Sequence, residues 1–490
     1  MGRKILLCFF TILLLILGRA GPVAAVTVEV KPGEPVGTLQ QVLEEAKDGD
    51  TIQVHPGHYQ GGLVIKKAVS LIGVDHPVID GNGNGDVLTV LANGVTIKGF
   101  TITGSGKQLE QADAGIKLKS VQRVTIEGCR LVNNLFGLYL DRATDNIITH
   151  NEIKGRQKKA AAQEDETEEP LAGLHAGFAG ETGDGIHLFA ASGNKINHNV
   201  ITQTRDGIYF NYAQGNRLIG NKISFVRYGI HYMYSDENYF EQNLLTDNVA
   251  GAALMFSKGI VLKNNVFAHS RGHRAYGILF ATCDHSVAQG NLMVDNTRGL
   301  FFDTSLHNVF RGNLLDRNDV ALDLISSSSD NLFVENNFMD NLQQVAMITG
   351  RVGDGNRFYA QGKGNYWHDY RGFDLDRDGI GDIPHKTGDP FTYLMAKSPA
   401  VRLFLNSPAA TALEFSERMF PVIDIPKVED RYPLSKPAQM EPLDFAYQKK
   451  PIGNHWLGWC SLLMFLIALA IFSWAFGLHR RYWYWVSRSE

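Results

Sequence analysis

Residues 185–190 read GIHLFA, 207–212 GIYFNY, 229–234 GIHYMY and 251–256 GAALMF. The same Gly–apolar–x–apolar phrase opens at Gly115 (GIKLKS), Gly137 (GLYLDR), Gly277 (GILFAT) and Gly299 (GLFFDT). Most steps between these glycines are 22 residues; Gly251 to Gly277 is 26, and Gly137 to Gly185 reads as two coils plus an insertion. A second series, Asn199, Asn221, Asn243, Asn265, Asn291 and Asn313, runs in phase with the first. A fixed period of this size signals a solenoid. The short alternating segments, split by Asn and Gly, are strands joined by turns rather than helices. The leucine pattern of a leucine-rich repeat is absent. The expected fold is therefore all-β, a right-handed parallel β-helix with coils of about 22 residues stacked ~4.8 Å apart. Asn at equivalent turns adopts left-handed backbone and hydrogen-bonds to its neighbours in the stack.

Outward from the repeat, Thr38 to Lys47 (TLQQVLEEAK) has helical spacing and suits a cap on the first coil, where an open sheet edge would invite pairing. The β-helix is expected over 26–385, with a polar loop at 156–183 that is either filler or a partner-binding lid. Residues 386–450 form an extension.

The chain ends carry other signals. Residues 1–25 hold Arg3 and Lys4, an apolar run and Val23-Ala24-Ala25, the pattern of a secretory signal. The stretch 456–477 has no charge and is long enough to span a hydrocarbon core of ~30 Å, with tryptophans at its borders. Residues 478–490 are then a cytoplasmic tail, and the bulk of the chain lies on the periplasmic side, tethered to the inner membrane. The formal net charge is −4 without a basic stripe, which argues against nucleic acid as a partner. Cys129 and Cys283 are the two cysteines of the exported part. By the glycine register they lie six coils apart, on the order of 29 Å, too far for a disulfide.

The strand period of two assigns the chemistry to faces. In GIHYMY it sends Ile230, Tyr232 and Tyr234 to the core, and His231 and Met233 outward. One outward column then holds His187, Tyr209 and His231; its neighbour holds Asn211, Met233 and Met255. Thioether plus imidazole is a soft set that suits Cu(I). The same methionines also suit packing under a covering loop or partner. His269, His273 and His285 fall on turns, and each alone reads as solvated or structural.

A second constellation is DLDRDGIGD at 374–382. Asp374, Asp376, Asp378 and Asp382 stand at positions 1, 3, 5 and 9 of an EF-hand-type loop, with Gly379 at 6. Position 12 is His385 in place of the bidentate Glu, so a structural Ca2+ would need another ligand. The alternative is an Asp-rich turn that caps backbone N–H groups. Catalysis on a polysaccharide would need clustered carboxylates, and the outward Asp141, Asp303 and Asp323 are spread over separate coils.

The runs RYGIHYMYSDENYFEQN, NVAGAALMFS and YGILF, then GNYWHDYRGFDLDRDGIGDIPH and the tail from SPAVRLFLN to RYPL, resemble the NosD family. The resemblance extends from about Thr27 to Leu434. It implies an accessory β-helix that works with an ABC-type permease and ATPase and a copper chaperone. Together these mature the copper–sulfur centre of nitrous oxide reductase. It implies transient Cu(I) at His231, Met233 and Met255, and no catalysis by this chain. The C-terminal apolar stretch departs from the soluble form expected of the family. Two other readings compete: a membrane-tethered polysaccharide-binding or polysaccharide-processing protein, and a docking scaffold without metal.

Overall fold

The computed structural model describes residues 25–32, 38–156, 182–272, 275–325, 327–347, 355–387, 407–419, 428–440 and 459–472, with residues 394, 401 and 404. Residues 1–24, including nearly all of the expected signal segment, lie outside these, as do 157–181 of the expected insertion and His273.

One coil shows how the chain closes on itself. Lys195–Asn197, Val200–Thr202 and Asp206–Asn211 are three short strands, each with alternate residues buried. Corners separate them, at His198 (φ 54°), Gln203 (φ 57°) and Tyr212 (φ 53°). A single left-handed residue reverses the alternation and redirects the chain, which is why period-two segments are so short here. The next coil repeats the plan, with Ile196 over Leu218, Ile201 over Ile223 and Phe210 over Tyr232. Repetition builds three parallel sheets, of 13, 13 and 12 strands among the described residues. The first sheet runs from Thr27–Val30 to Leu332–Val334, the second from His58–Gln60 to Tyr366–Trp367, and the third from Leu63–Ile65 to Gln343–Met347. The fold is a right-handed parallel β-helix of about 13 turns.

Two ladders explain the sequence periods. The glycines sit where neighbouring coils nearly touch: a Cβ on Gly207 would lie 2.5 Å from the Gly229 carbonyl oxygen and 2.4 Å from Ile223 Cγ2. The asparagines fill a corner in an unbroken buried run. Asn221 donates its backbone N–H (3.0 Å) and side-chain N–H (2.9 Å) to Asn243 Oδ1, and its side chain also donates to the Ile196 carbonyl at 2.7 Å. The run continues from Asn151 through Asn199, Asn243, Asn265, Asn291, Asn313 and Asn336 to Asn365. Each Asn thus satisfies corner backbone groups that no sheet reaches.

The core changes character along the stack. Ile and Leu fill the early coils, whereas Phe280 stacks on Phe302 (5.2 Å), Phe333 on Phe358 (5.0 Å) and Phe338 on Trp367 (4.2 Å) in the late ones. Helix Thr38–Glu45 buries Leu39 and Leu43 in the same core beside Val30 and Ile52.

Two details depart from the sequence reading, and one agrees with it. Leu138 pairs directly with Ile186, so one coil and not two separates Gly137 from Gly185. Cys129 and Cys283 are six coils apart by the strand register, as the glycine spacing gave; both are free and buried, and burial raises their thiols to about 11 and about 12. Tyr234 leaves the core: the strand ends at Met233, and a φ of 50° turns the ring outward.

Beyond Trp367 the chain leaves the coils and a later segment returns to them. His385–Thr387 pairs antiparallel with Val428–Asp430, and buried Asp430 accepts from Trp367 Nε1 (2.9 Å) and Asn365 N–H (2.7 Å). Residues 443–490 form a separate unit, in which 459–472 are helical and exposed. Among the described residues no helix is long and apolar enough to cross a membrane. The remainder of the 456–477 stretch lies outside them.

Candidate functional site

The third sheet carries the soft side chains, and its register places them in columns. His187, Tyr209 and His231 stand on successive strands, and Asn211, Met233 and Met255 run beside them. Alternation exposes this set because Leu188, Phe210 and Tyr232 take the inward positions. Met233 and Met255 are direct partners on adjacent strands, ~4.8 Å apart. Both are half-buried.

The histidines rest on buried carboxylates that the sequence reading did not single out. His231 Nδ1 lies 2.7 Å from Asp206 Oδ2, and Arg227 reaches both oxygens of that carboxylate at 2.8 and 2.6 Å. The unit is repeated one coil earlier, where His187 Nδ1 meets Asp184 Oδ2 at 2.8 Å and Arg205 holds the same carboxylate at 3.1 and 3.2 Å. Both carboxylates are fully buried, whereas the imidazole side chains keep 12% and 13% of their exposure. Burial alone would raise the Asp206 pKa; hydrogen bonds from His231 and Arg227 outweigh it and hold the carboxyl below its usual range. An ionised carboxylate on Nδ1 fixes the tautomer that leaves the Nε2 lone pair free, an arrangement common behind metal-bound histidines. The signal was present as Asp before Gly185 and Gly207 and Arg before the next coil, but alternation says nothing about the residue ahead of the strand.

Tyr209 separates the two imidazoles. Its ring lies 4.7 Å from His187 and 4.6 Å from His231. One ion therefore cannot take both histidines, and His187 stands apart from His231, Met233 and Met255. Half-burial, with Asp184 and Asp206 nearby, raises the Tyr209 phenol, so it stays protonated; its O–H points to Met233 Sδ at 3.7 Å. Beside the methionines, Tyr212, Tyr234 and Phe256 form an exposed ladder, stacked at 5.3 and 5.2 Å.

The other candidate residues separate into three groups. Asp374, Asp376 and Asp378 bring ligand oxygens within 4.8 Å of one another. Asp374 Oδ2 accepts from Ser435 Oγ (2.9 Å) and Gly379 N–H (3.2 Å), while its Oδ1 is buried without a hydrogen-bond partner. Asp382 instead caps Leu375 N–H at 2.8 Å, and His385 is buried against Trp367, 4.9 Å between rings. Of the acids considered for catalysis, Asp141 pairs with Arg142 and Asp323 is buried on Arg298.

These features define a class: a parallel β-helix whose lateral face presents anchored imidazoles and paired thioethers. Comparison with known proteins narrows it. The family model "Periplasmic copper-binding protein (NosD)" matches residues 175–372, and a right-handed β-helix model matches 69–267. A Stutzerimonas stutzeri protein named "Probable ABC transporter binding protein NosD" is 35% identical over 396 residues, covering 78% of this chain and 85% of its own. A protein of the same name from Pseudomonas aeruginosa is 33% identical over 442 residues, with 86% and 97% covered. The chain belongs to the NosD family. Among solved structures, the A-module of the mannuronan C-5 epimerase AlgE6 from Azotobacter vinelandii has a TM-score of 0.50 at 14% identity, covering 64% of this chain and 90% of that one. That likeness is one of fold alone.

Proposed function

We propose that this chain is a periplasmic, non-catalytic accessory protein that receives or relays Cu(I) for maturation of the nitrous oxide reductase copper centre. In this reading it acts with an ABC-type permease and ATPase and a copper chaperone, and the apolar stretch 456–477 holds it at the inner membrane. The observation that carries the proposal is the His231–Met233–Met255 cluster on the third sheet, with His231 held through Nδ1 by Asp206. Soft thioethers and an imidazole favour Cu(I) over hard ions. A half-buried, laterally open site suits hand-over better than a closed one.

The test is anaerobic Cu(I) titration of the full chain against a Met233→Leu/Met255→Leu variant. Loss of binding in the variant supports the carrier reading. A parent protein that binds no Cu(I) leaves a docking scaffold. Full reductase maturation by the variant would end the case for the methionines as ligands.

The exposed aromatic ladder is the observation that favours a polysaccharide reading. Its rings stack on one another, with 12° and 15° between planes, so Tyr234 is covered on both faces and only one face each of Tyr212 and Phe256 is left for a sugar. The anchored His231 beside paired thioethers is the more specific feature, so the copper reading is preferred. We assign the 374–378 carboxylates a structural Ca2+, with Asp382 as a backbone cap near it.

A further inference from the structure

Beyond the copper face, the corner between the third sheet and the next coil's first strand has its own column. Its successive positions are Gly215, Glu237, Gly259, His285, His307 and Asp330, linked by backbone hydrogen bonds from each to the residue preceding the next. All have positive φ, from 50° to 67°. Glycine is the unstrained choice there, and the column uses it at Gly193, Gly215, Gly259 and Gly355. Two consecutive histidines in such a column are a departure from that economy.

Their geometry suggests what the departure provides. The His285 and His307 rings are exposed and stack at 5.0 Å with 14° between planes. Side chains at this corner lean over the coil that follows: the Glu237 side chain covers Gly259, 3.4 Å from where a Cβ would stand, and Asp330 Oδ1 covers Gly355. Glu237 therefore leans along the column towards His285, and His307 leans towards Asp330. Two imidazoles flanked by two carboxylates form a borderline-to-hard ligand set, unlike the thioethers of the third sheet.

We propose that His285 and His307 together bind a divalent first-row transition ion of the Zn2+ or Cu2+ class, with Glu237 and Asp330 supplying negative charge at the two ends. Metal–nitrogen bonds of about 2.0–2.1 Å let one ion bridge nitrogens up to ~4 Å apart. Imidazoles on adjacent coils ~4.8 Å apart reach that separation by side-chain rotation. The site is independent of the Cu(I) cluster in position and in ligand chemistry.

The experiment is calorimetric titration of Zn2+ into the metal-free full chain, with excess Ca2+ present to occupy the acidic 374–378 loop. A His150→Asn/His198→Asn background removes a second exposed stacked histidine pair among the described residues, whose rings lie 5.1 Å apart. Adding His285→Asn/His307→Asn is expected to remove one equivalent of Zn2+, because Asn tolerates the left-handed backbone but offers no imidazole. Adding Met233→Leu/Met255→Leu instead should leave that equivalent in place, whatever it does to Cu(I). Matching circular dichroism and melting curves establish that each variant is folded. An unchanged Zn2+ stoichiometry in the His285/His307 variant overturns the proposal, as does a background protein that binds no Zn2+.

Discussion

The Asn151–Asn365 ladder and the His187–Met255 face are both polar columns on the same 22-residue beat, yet they serve opposite ends. In the ladder every coil repeats the same residue, every side chain is buried, and every donor meets an acceptor one coil away. On the face the repeat decays with each step. Asp206 is followed by Tyr228 and Ala250, and Asn211 by Met233, Met255 and Ala281. A solenoid amplifies any residue that stabilises stacking, so uniform columns report on the fold. Where a column changes identity from coil to coil, stacking does not explain the choice, and chemistry becomes the better account.

The largest effect separating the two columns should come from Asn221→Ala. The side chain is fully buried and joins Ile196, Asn199 and Asn243, so its loss strands several groups at about 1–3 kcal/mol each. Urea unfolding should show a destabilisation on the order of 3 kcal/mol or more, with Cu(I) uptake by the surviving folded fraction unchanged. A loss below ~1 kcal/mol would mean that the ladder is not the structural column.

Asp206→Asn should fall between the columns. It removes the charge that holds Arg227 and His231, for about 1–3 kcal/mol of stability. It should also lower Cu(I) affinity by roughly 10–100-fold, the usual consequence of losing a carboxylate behind a metal-bound histidine. Stability loss with unaltered Cu(I) affinity would return Asp206 to the purely structural set. The Met233→Leu/Met255→Leu variant should be the mirror image of Asn221→Ala: volume is conserved at half-exposed positions, so stability changes by less than ~1.5 kcal/mol, while Cu(I) binding disappears.

The contrast also explains what was legible in the sequence. The glycine and asparagine periods report contacts that every coil makes, so the solenoid and the outward columns could be read from spacing alone. The Gly137–Gly185 step could not, because 48 residues fit two coils plus a short insertion as readily as one coil plus a long one. Tyr234 was misplaced because alternation stops at a corner, and a left-handed aromatic there has no sequence mark. Asp184 and Asp206 were invisible for a related reason. They lie just ahead of the Gly-apolar phrase, and their partners are an arginine of the following coil and, for Asp206, a histidine 25 residues on. The return of Asp430 to Asn365 and Trp367 leaves no periodic trace at all.

The smallest expected effect comes from a third His–Asp–Arg group, away from the His187–Met255 face. At a corner of the second sheet, Asp295 accepts from His269 Nδ1 at 2.8 Å and pairs with Arg271, which also holds Asp319 at 2.6 Å. Burial would raise the Asp295 pKa, but Arg271 and then His269 reverse this and leave it lowered. With the folded value below the unfolded one, its stabilisation is present above the unfolded carboxylate pKa of about 3.9 and is lost as pH falls through the folded value. The side chain is 36% exposed, so solvent screening keeps the contribution below about 1 kcal/mol. Asp295→Asn should therefore narrow the stability difference between neutral pH and pH 3 by less than ~1 kcal/mol and leave Cu(I) binding untouched. Denaturant midpoints measured at both pH values decide it. If Asp295→Asn abolished Cu(I) uptake, an anchored histidine remote from the thioethers would also matter to the metal, and the division between structural and chemical columns would have to be redrawn.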